Sequence, residues 1–217
     1  MTTHTSDEIG LFDAIFTTRA MRRLKPDPVP DELIRKVLEA GLCAPSGGDV
    51  QNWRFIVVKD PEIKRQLQIR YKRALDDVIE RYRSNPPPPG KTEEQKARML
   101  AAVEYLTEHF HEAPVLIVCC LVDDYARKLG LEKMSGASIY PAVQNILLAA
   151  RALGLGATLT TRHLIYEKEV DQILGLPPNA ETFAIIPIGY PMGRFGPVSR
   201  QPVEKVAFID RWGNPYK

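Results

Sequence analysis

The sequence predicts an α/β or α+β sandwich with a mixed sheet, folded as a single domain over residues 1–217. Three observations point there. Short unbroken apolar runs, Phe55 to Val58, Val115 to Val122 and Phe183 to Ile188, have the length of strands buried on both faces. Segments with apolar residues at helical spacing separate them, and Pro and Gly punctuate the boundaries. With 44% apolar and 26% charged side chains, a chain of 217 residues can bury a substantial core and is too apolar to be disordered.

Taken in order, Ser6 can cap a first helix reaching about Thr18, with Asp7 and Glu8 in its positive first turn and Ile9, Phe12, Ile15 and Phe16 on one face. The next segment, Thr17 to Leu24, holds the densest basic cluster, Arg19, Arg22 and Arg23, which reads either as a solvated helix end or as a local anion site. Pro26, Pro28 and Pro30 keep the backbone extended and restart a helix at Asp31, whose apolar face is Leu33, Ile34, Val37, Leu38 and Leu42. That helix ends near Cys43. The loop Ala44-Pro-Ser-Gly-Gly-Asp then runs into the strand at Phe55, so that helix, glycine loop and strand form a cradle for a flat polar ligand.

Pro61 opens a long charged helix through about Arg83, and Asn85 with Pro86 to Gly90 makes a stiff exposed hinge. Thr92 and Gln95 fit a capping box for a helix reaching about His111. This stretch, about 63–111, is the least hydrophobic of the chain and is expected at the periphery, as a flap over the site. Cys119 and Cys120 in the next strand read as small core fillers. From Ser138 a helix is apolar on nearly every side, with Pro141 in its first turn, which suits the centre of the fold or a large subunit interface. Gly154 and Gly156 end it, Ala157 to Thr161 reads as a strand, and Glu167 to Leu174 as a short helix closed by Gly175 and Pro177. The tail from Pro197 to Lys217 is laid out as an arm carrying Arg200, Val203, Val206, Phe208 and Trp212.

Composition removes several function classes. A net charge of +2 gives no general attraction to nucleic acid or to a membrane surface. Three cysteines without a C-x-x-C pair fit a reducing compartment, and Met1 to Gly10 has no apolar core of signal-peptide length, so a cytoplasmic location is expected. Gly154-Leu-Gly156 follows a helix, precedes a strand and lacks a third glycine, so it is no dinucleotide fingerprint. The four histidines show no ligand spacing, and no metal site is expected.

Thr18-Arg-Ala-Met-Arg-Arg, Pro28-Val-Pro-Asp-Glu-Leu-Ile, Ala44-Pro-Ser-Gly-Gly-Asp-Val-Gln-Asn-Trp-Arg-Phe, Val143-Gln-Asn-Ile-Leu-Leu-Ala-Ala and Ile188-Gly-Tyr-Pro stand in an order that resembles the nitroreductase family of FMN-dependent oxidoreductases. The resemblance spans about Phe12 to Lys205. It implies an α+β fold with a mostly antiparallel sheet, a homodimer with a swapped C-terminal arm at about 197–217, and two FMN sites at the interface, each built from both chains.

By the same resemblance Arg19, Arg22 and the distant Arg200 grip the phosphate, beside Ala20 and the backbone of Met21. Pro45, Ser46 and Gly47 lie against the flavin ring from the partner, with Asp49 and Gln51 near the ribityl chain and pyrimidine edge. Leu159, Thr160 and Thr161 offer backbone groups near N5 and the ring carbonyls. Bidentate guanidinium groups suit a phosphate dianion, and donors around the ring stabilise its reduced form. NADH or NADPH then passes a hydride to the flavin, and a small electron-poor aromatic such as a nitroaromatic or quinone takes two electrons at the same place, by ping-pong kinetics and without a protein nucleophile.

Three positions depart from the pattern. Ala20 replaces the family's serine and removes one phosphate hydrogen bond, Asp49 replaces an asparagine, and Asn52 replaces the proline before Trp53. Tyr71, Tyr82, Tyr105, Phe110 and His111 are candidates to stack on an acceptor. Alternatives within the fold are flavin fragmentation, storage of FMN with little turnover, and dehalogenation of an amino acid. The last needs a Glu, Tyr and Lys trio, and Thr107 stands where the lysine would fall.

Overall fold

The computed structural model describes residues 9–216, so the expected Ser6 cap with Asp7 and Glu8 lies outside the described residues. The sheet has four strands in the order β1-β2-β4-β3, formed by β1 (Trp53–Val58), β2 (Val115–Val122), β3 (Gly156–Ala157) and β4 (Ala180–Gly189). Every pairing among the described residues is antiparallel, which realises the α+β sandwich without the expected parallel component.

The unbroken apolar run of β2 has a direct cause. Its residues alternate between two helical layers. Val115, Ile117, Cys119 and Leu121 pack with Ile34 and Val37 of α2 (Asp31–Leu42) and with Ile139, Val143 and Ile146 of α7 (Glu132–Ala152). Leu116, Val118 and Cys120 face the other way, onto Leu67 and Tyr71 of α3 (Pro61–Asp76), Leu106 of α5 (Glu93–Glu108), Phe110, and Val170 of α8 (Glu167–Leu174). A polar residue at any of these positions would have no partner on either face.

Several boundaries differ from expectation. The helix from Pro61 breaks at Asp77 and Val78, giving α3 and then α4 (Ile79–Ser84), because the bend lets Ile79 join Leu75 and Val103 in a small third cluster. The inner face of α3 is therefore core, and only the outer part of the 63–111 stretch is peripheral. The Thr92–Gln95 capping box is present, but α5 stops at Glu108 and a single 3₁₀ turn covers Phe110–Glu112. α7 starts at Glu132, a short helix α6 (Tyr125–Lys128) preceding it, so Pro141 sits in the helix interior and has no N–H for the Ala137 carbonyl.

The two glycines after α7 serve different ends. Gly154 takes φ +74° and closes the helix, with the Leu155 N–H donating to the Ala150 carbonyl. Gly156 is required by space. A Cβ there would lie 2.9 Å from Leu24 Cδ2 and 3.0 Å from Met21 Cβ. The strand expected from Ala157 to Thr161 pairs only at its start and again at the Thr160–Ile185 bridge, because the chain then turns into the 3₁₀ segment Arg162–Tyr166.

One apolar face is left largely uncovered by the described residues. In α1 (Leu11–Thr17) only Ala14 is buried, while Leu11, Phe12, Ile15 and Phe16 are exposed. The arm, described through Tyr216, is likewise exposed at Val203, Val206, Ile209 and Trp212, the last at 91%. Its internal order comes from the Phe208–Pro215 bridge and the ring contact of Phe208 with Trp212.

Candidate functional site

The segment after α1 is fastened to the sheet edge. The Met21 N–H donates to the Ala157 carbonyl, the Lys25 N–H to the Tyr190 carbonyl, and the Met192 N–H to the Arg23 carbonyl. Met21 and Leu24 point into the second core cluster. Arg19 and Arg22 are thereby left on the outer side, where a cavity of about 630 Å³ opens. Arg200 reaches the same cavity from the arm, whose backbone is tied back where the Val198 N–H donates to the Phe16 carbonyl. Arg19, Ala20, Arg22 and Arg200 are thus brought together from opposite ends of the chain. The backbone N–H of Met21 is already engaged, so at most its carbonyl is available there.

Arg22 is half-buried, and burial pushes its guanidinium below the usual arginine range, with Arg162 as a neighbouring like charge adding to the effect. Tyr71, buried beside both arginines, is pushed up, chiefly by desolvation. Its ring stacks on Phe110 at 4.4 Å, which makes both of them core side chains instead of the acceptor-stacking candidates expected. Tyr105 lies between Arg23 and His109, at 4.7 and 4.1 Å, so Arg23 is a surface residue resting on a ring.

The glycine loop forms a second region and does not line the cavity. The Gly47 N–H donates to Ser138 Oγ, and the Gln51 N–H to Ser46 Oγ, which fixes the loop on α7. Asp49 and Gln51 both take positive φ, 54° and 52°, a conformation unusual for either residue, and Gln51 Nε2 donates to Asp49 Oδ1 at 2.8 Å. The aspartate that departs from the family pattern therefore keeps its charge and accepts one side-chain hydrogen bond. Pro45, Gly47, Asp49 and Gln51 are exposed and Ser46 is half-buried.

The third group is only partly available. Thr160 is buried, exchanges both backbone hydrogen bonds with Ile185, and donates its hydroxyl to the Ile185 carbonyl, so it cannot present the backbone groups expected of it. Leu159 and Thr161, on either side, are exposed. Asn52 donates its side-chain N–H to the Val122 carbonyl and pins the start of β1 to the end of β2, which accounts for the missing proline in structural terms.

Sequence reasoning missed Lys91, Lys96 and Arg98, which line the cavity from the turn before α5 and from α5 itself. The signal was present in the charges clustered around the capping box, but the charged flap carried no recognised motif. Cys119 and Cys120 are buried, with burial raising both thiols, Cys120 to about 12, which fits core fillers. His163 is buried, neither ring nitrogen has a partner among the described residues, and burial lowers it to about 4. No group of metal-ligating side chains occurs among the described residues, and no helix there is long and apolar enough to cross a membrane.

Comparison with known proteins bears on the family and the fold. The chain is 32% identical over 190 residues to a Methanothermobacter thermautotrophicus protein whose name pairs NADH dehydrogenase with NAD(P)H nitroreductase, covering 85% of this chain and 78% of that one. It is also 32% identical to the NADH dehydrogenase of Thermus thermophilus, covering 89% and 92% of the two chains. An iodotyrosine deiodinase of Daphnia pulex is 28% identical over 80% of this chain, which spans 56% of that protein. The fold is shared with crystalline iodotyrosine deiodinase bound to FMN and 3-iodo-L-tyrosine, at a TM-score of 0.71 and 24% identity over 94% of this chain and 100% of the other. A model described as Nitroreductase family matches residues 15–190, and the chain belongs to the nitroreductase family.

Proposed function

We propose that two copies of this chain bind two FMN molecules at their interface and use them to carry electrons from NADH or NADPH to a small electron-poor aromatic such as a nitroaromatic or quinone. The observation that carries this reading is the meeting of Arg19, Arg22 and Arg200 on one cavity that no carboxylate lines. Such a donor set fits a phosphate dianion. Ala20 withholds a hydroxyl, so the guanidinium groups hold the phosphate without that extra bond. When bound, FMN supplies a two-electron carrier that can take a hydride and release it to an acceptor.

The protein's own part is positioning. The exposed apolar face of α1 and the exposed arm supply what a second copy would cover. In that dimer the loop of Pro45, Ser46, Gly47, Asp49 and Gln51 serves the partner's cofactor, and Leu159 and Thr161 flank the ring. A cytoplasmic setting suits the free thiols of all three cysteines. The deiodinase relatives favour reductive dehalogenation as a second reading, but Thr107 is buried and donates its hydroxyl to the Val103 carbonyl, so it cannot take a lysine's place at an amino-acid carboxylate. The test is a purified sample. A flavin absorption band, a dimer by light scattering and NAD(P)H oxidation accelerated by a nitroaromatic are expected. A colourless monomer after incubation with FMN would overturn the reading, and release of iodide from iodotyrosine would favour the second.

A further inference from the structure

The cavity holds more positive charge than one phosphate needs. Arg19, Arg22, Lys91, Lys96, Arg98 and Arg200 all line it, and no aspartate or glutamate does. These six are not equivalent. Lys96 Nζ donates to the Arg83 and Asn85 carbonyls and so closes the end of α4. Arg19, Arg22 and Arg200 have the roles given above. Lys91 and Arg98 are left over, one from the turn before α5 and the other from α5 itself.

Both are placed by local structure. Pro88, Pro89, Gly90 and Lys91 form a turn in which the Lys91 N–H donates to the Pro88 carbonyl at 3.0 Å and Gly90 takes φ +77°. Proline before a positive-φ glycine is the signature of a type II turn, and its rigidity fixes where the Lys91 backbone stands. Arg98 follows in α5, whose start is locked by the Thr92–Gln95 capping box. Its only ion pair among the described residues is with Glu94 at 4.0 Å, between two highly exposed side chains, so little holds it from an incoming anion. No ion pair or hydrogen bond of the Lys91 side chain occurs among the described residues.

We propose that Lys91 and Arg98 form the subsite for the 2′-phosphate of NADPH, so that this chain prefers NADPH over NADH. The inference rests on the flavin reading above. A cofactor phosphate of charge about −2 satisfies two or three of the guanidinium groups. Both nicotinamide dinucleotides carry a pyrophosphate, and only NADPH adds a compact monoester dianion at the 2′ position, which suits a lysine and an arginine held on rigid supports. The cavity of about 630 Å³ lies within the range of sites that take ligands of this size.

The test uses the flavin-loaded protein and two probes, 2′,5′-ADP and 5′-AMP, titrated by calorimetry. Binding of 2′,5′-ADP at least tenfold tighter than 5′-AMP is expected, weakening as salt rises from about 50 to 300 mM, since exposed charge pairs are screened. In Lys91→Ala/Arg98→Ala that discrimination should vanish, and the ratio of kcat/KM for NADPH over NADH should fall at least tenfold. Lys91→Arg should keep the discrimination, which a merely structural role for the lysine would not require. Equal binding of the two probes by yellow protein overturns this inference and leaves the flavin reading standing. So does a flavin-loaded double variant that keeps its NADPH preference. A protein without flavin removes the reading on which both depend.

Discussion

β2 and α1 are similarly apolar, yet their fates differ. Along β2 every residue from Val115 to Leu121 is buried, alternately against one helical layer and the other, whereas α1 turns Leu11, Phe12, Ile15 and Phe16 to solvent. A buried apolar run is completed by its own chain. The exposed one is left uncovered by the described residues, as is the arm, and the dimer proposed above would cover both. The candidate site divides in the same way. Its arginine half is assembled within one chain, while its glycine loop does not line that cavity.

The largest test of this contrast removes the arm. A chain ending at Gly196 should keep its sheet and helices but lose Arg200 and the apolar arm, and with them both dimer and flavin, as read by light scattering and absorbance at 450 nm. A truncated monomer that stays yellow would break the comparison. On the interior side, His163 gives a pH signature. Its folded value of about 4 lies below the ordinary 6.5, so the unfolded chain takes up the proton first. The stability that its neutral burial supports is whole above pH 6.5 and is lost as pH falls toward 4, by up to about 3 kcal/mol. Urea midpoints at pH 7 and pH 4.5 should show the loss, and His163→Met should flatten it.

Arg19→Ala and Arg200→Ala sharpen the site half of the contrast. Each removes charge-assisted hydrogen bonds worth about 1.5–3 kcal/mol, so FMN should bind roughly ten- to a hundredfold more weakly to a protein whose circular dichroism is unchanged. The smallest effect is expected at the outward loop. Asp49→Asn removes a negative charge that the Gln51 hydrogen bond only partly offsets. An anionic reduced flavin is then better tolerated, and the midpoint potential should rise by about 30 mV, equivalent to about 1.4 kcal/mol. A fall in potential would mean that the loop does not face the partner's flavin.

How far the sequence reached follows the same line. The buried strands, the α2 face, the capping box and the Gly154 and Gly175 helix ends were legible because each depends on a few neighbouring residues. The meeting of Arg19 and Arg22 with Arg200 was legible only through family resemblance, since nothing local links the two ends of the chain. The break at Asp77 was hidden because tertiary contacts of Ile79 decide it, and Thr160 was misjudged because its hydrogen bonds depend on register with Ile185. Lys91 and Arg98 escaped for a related reason. Surface charge looks the same in sequence whether it faces water or a cavity.

The absent side chain at Gly156 has a wider effect. With Met21, Leu24 and Pro191 all within about 3 Å of where a methyl would stand, the arginine ribbon sits directly against the start of β3. That contact holds Arg22 where burial lowers its guanidinium below the usual arginine range, with the like charge of Arg162 adding a smaller effect in the same direction. In the reading proposed above, an arriving phosphate meets a basic cavity already assembled in the folded chain, and its charge offsets part of that like-charge contact.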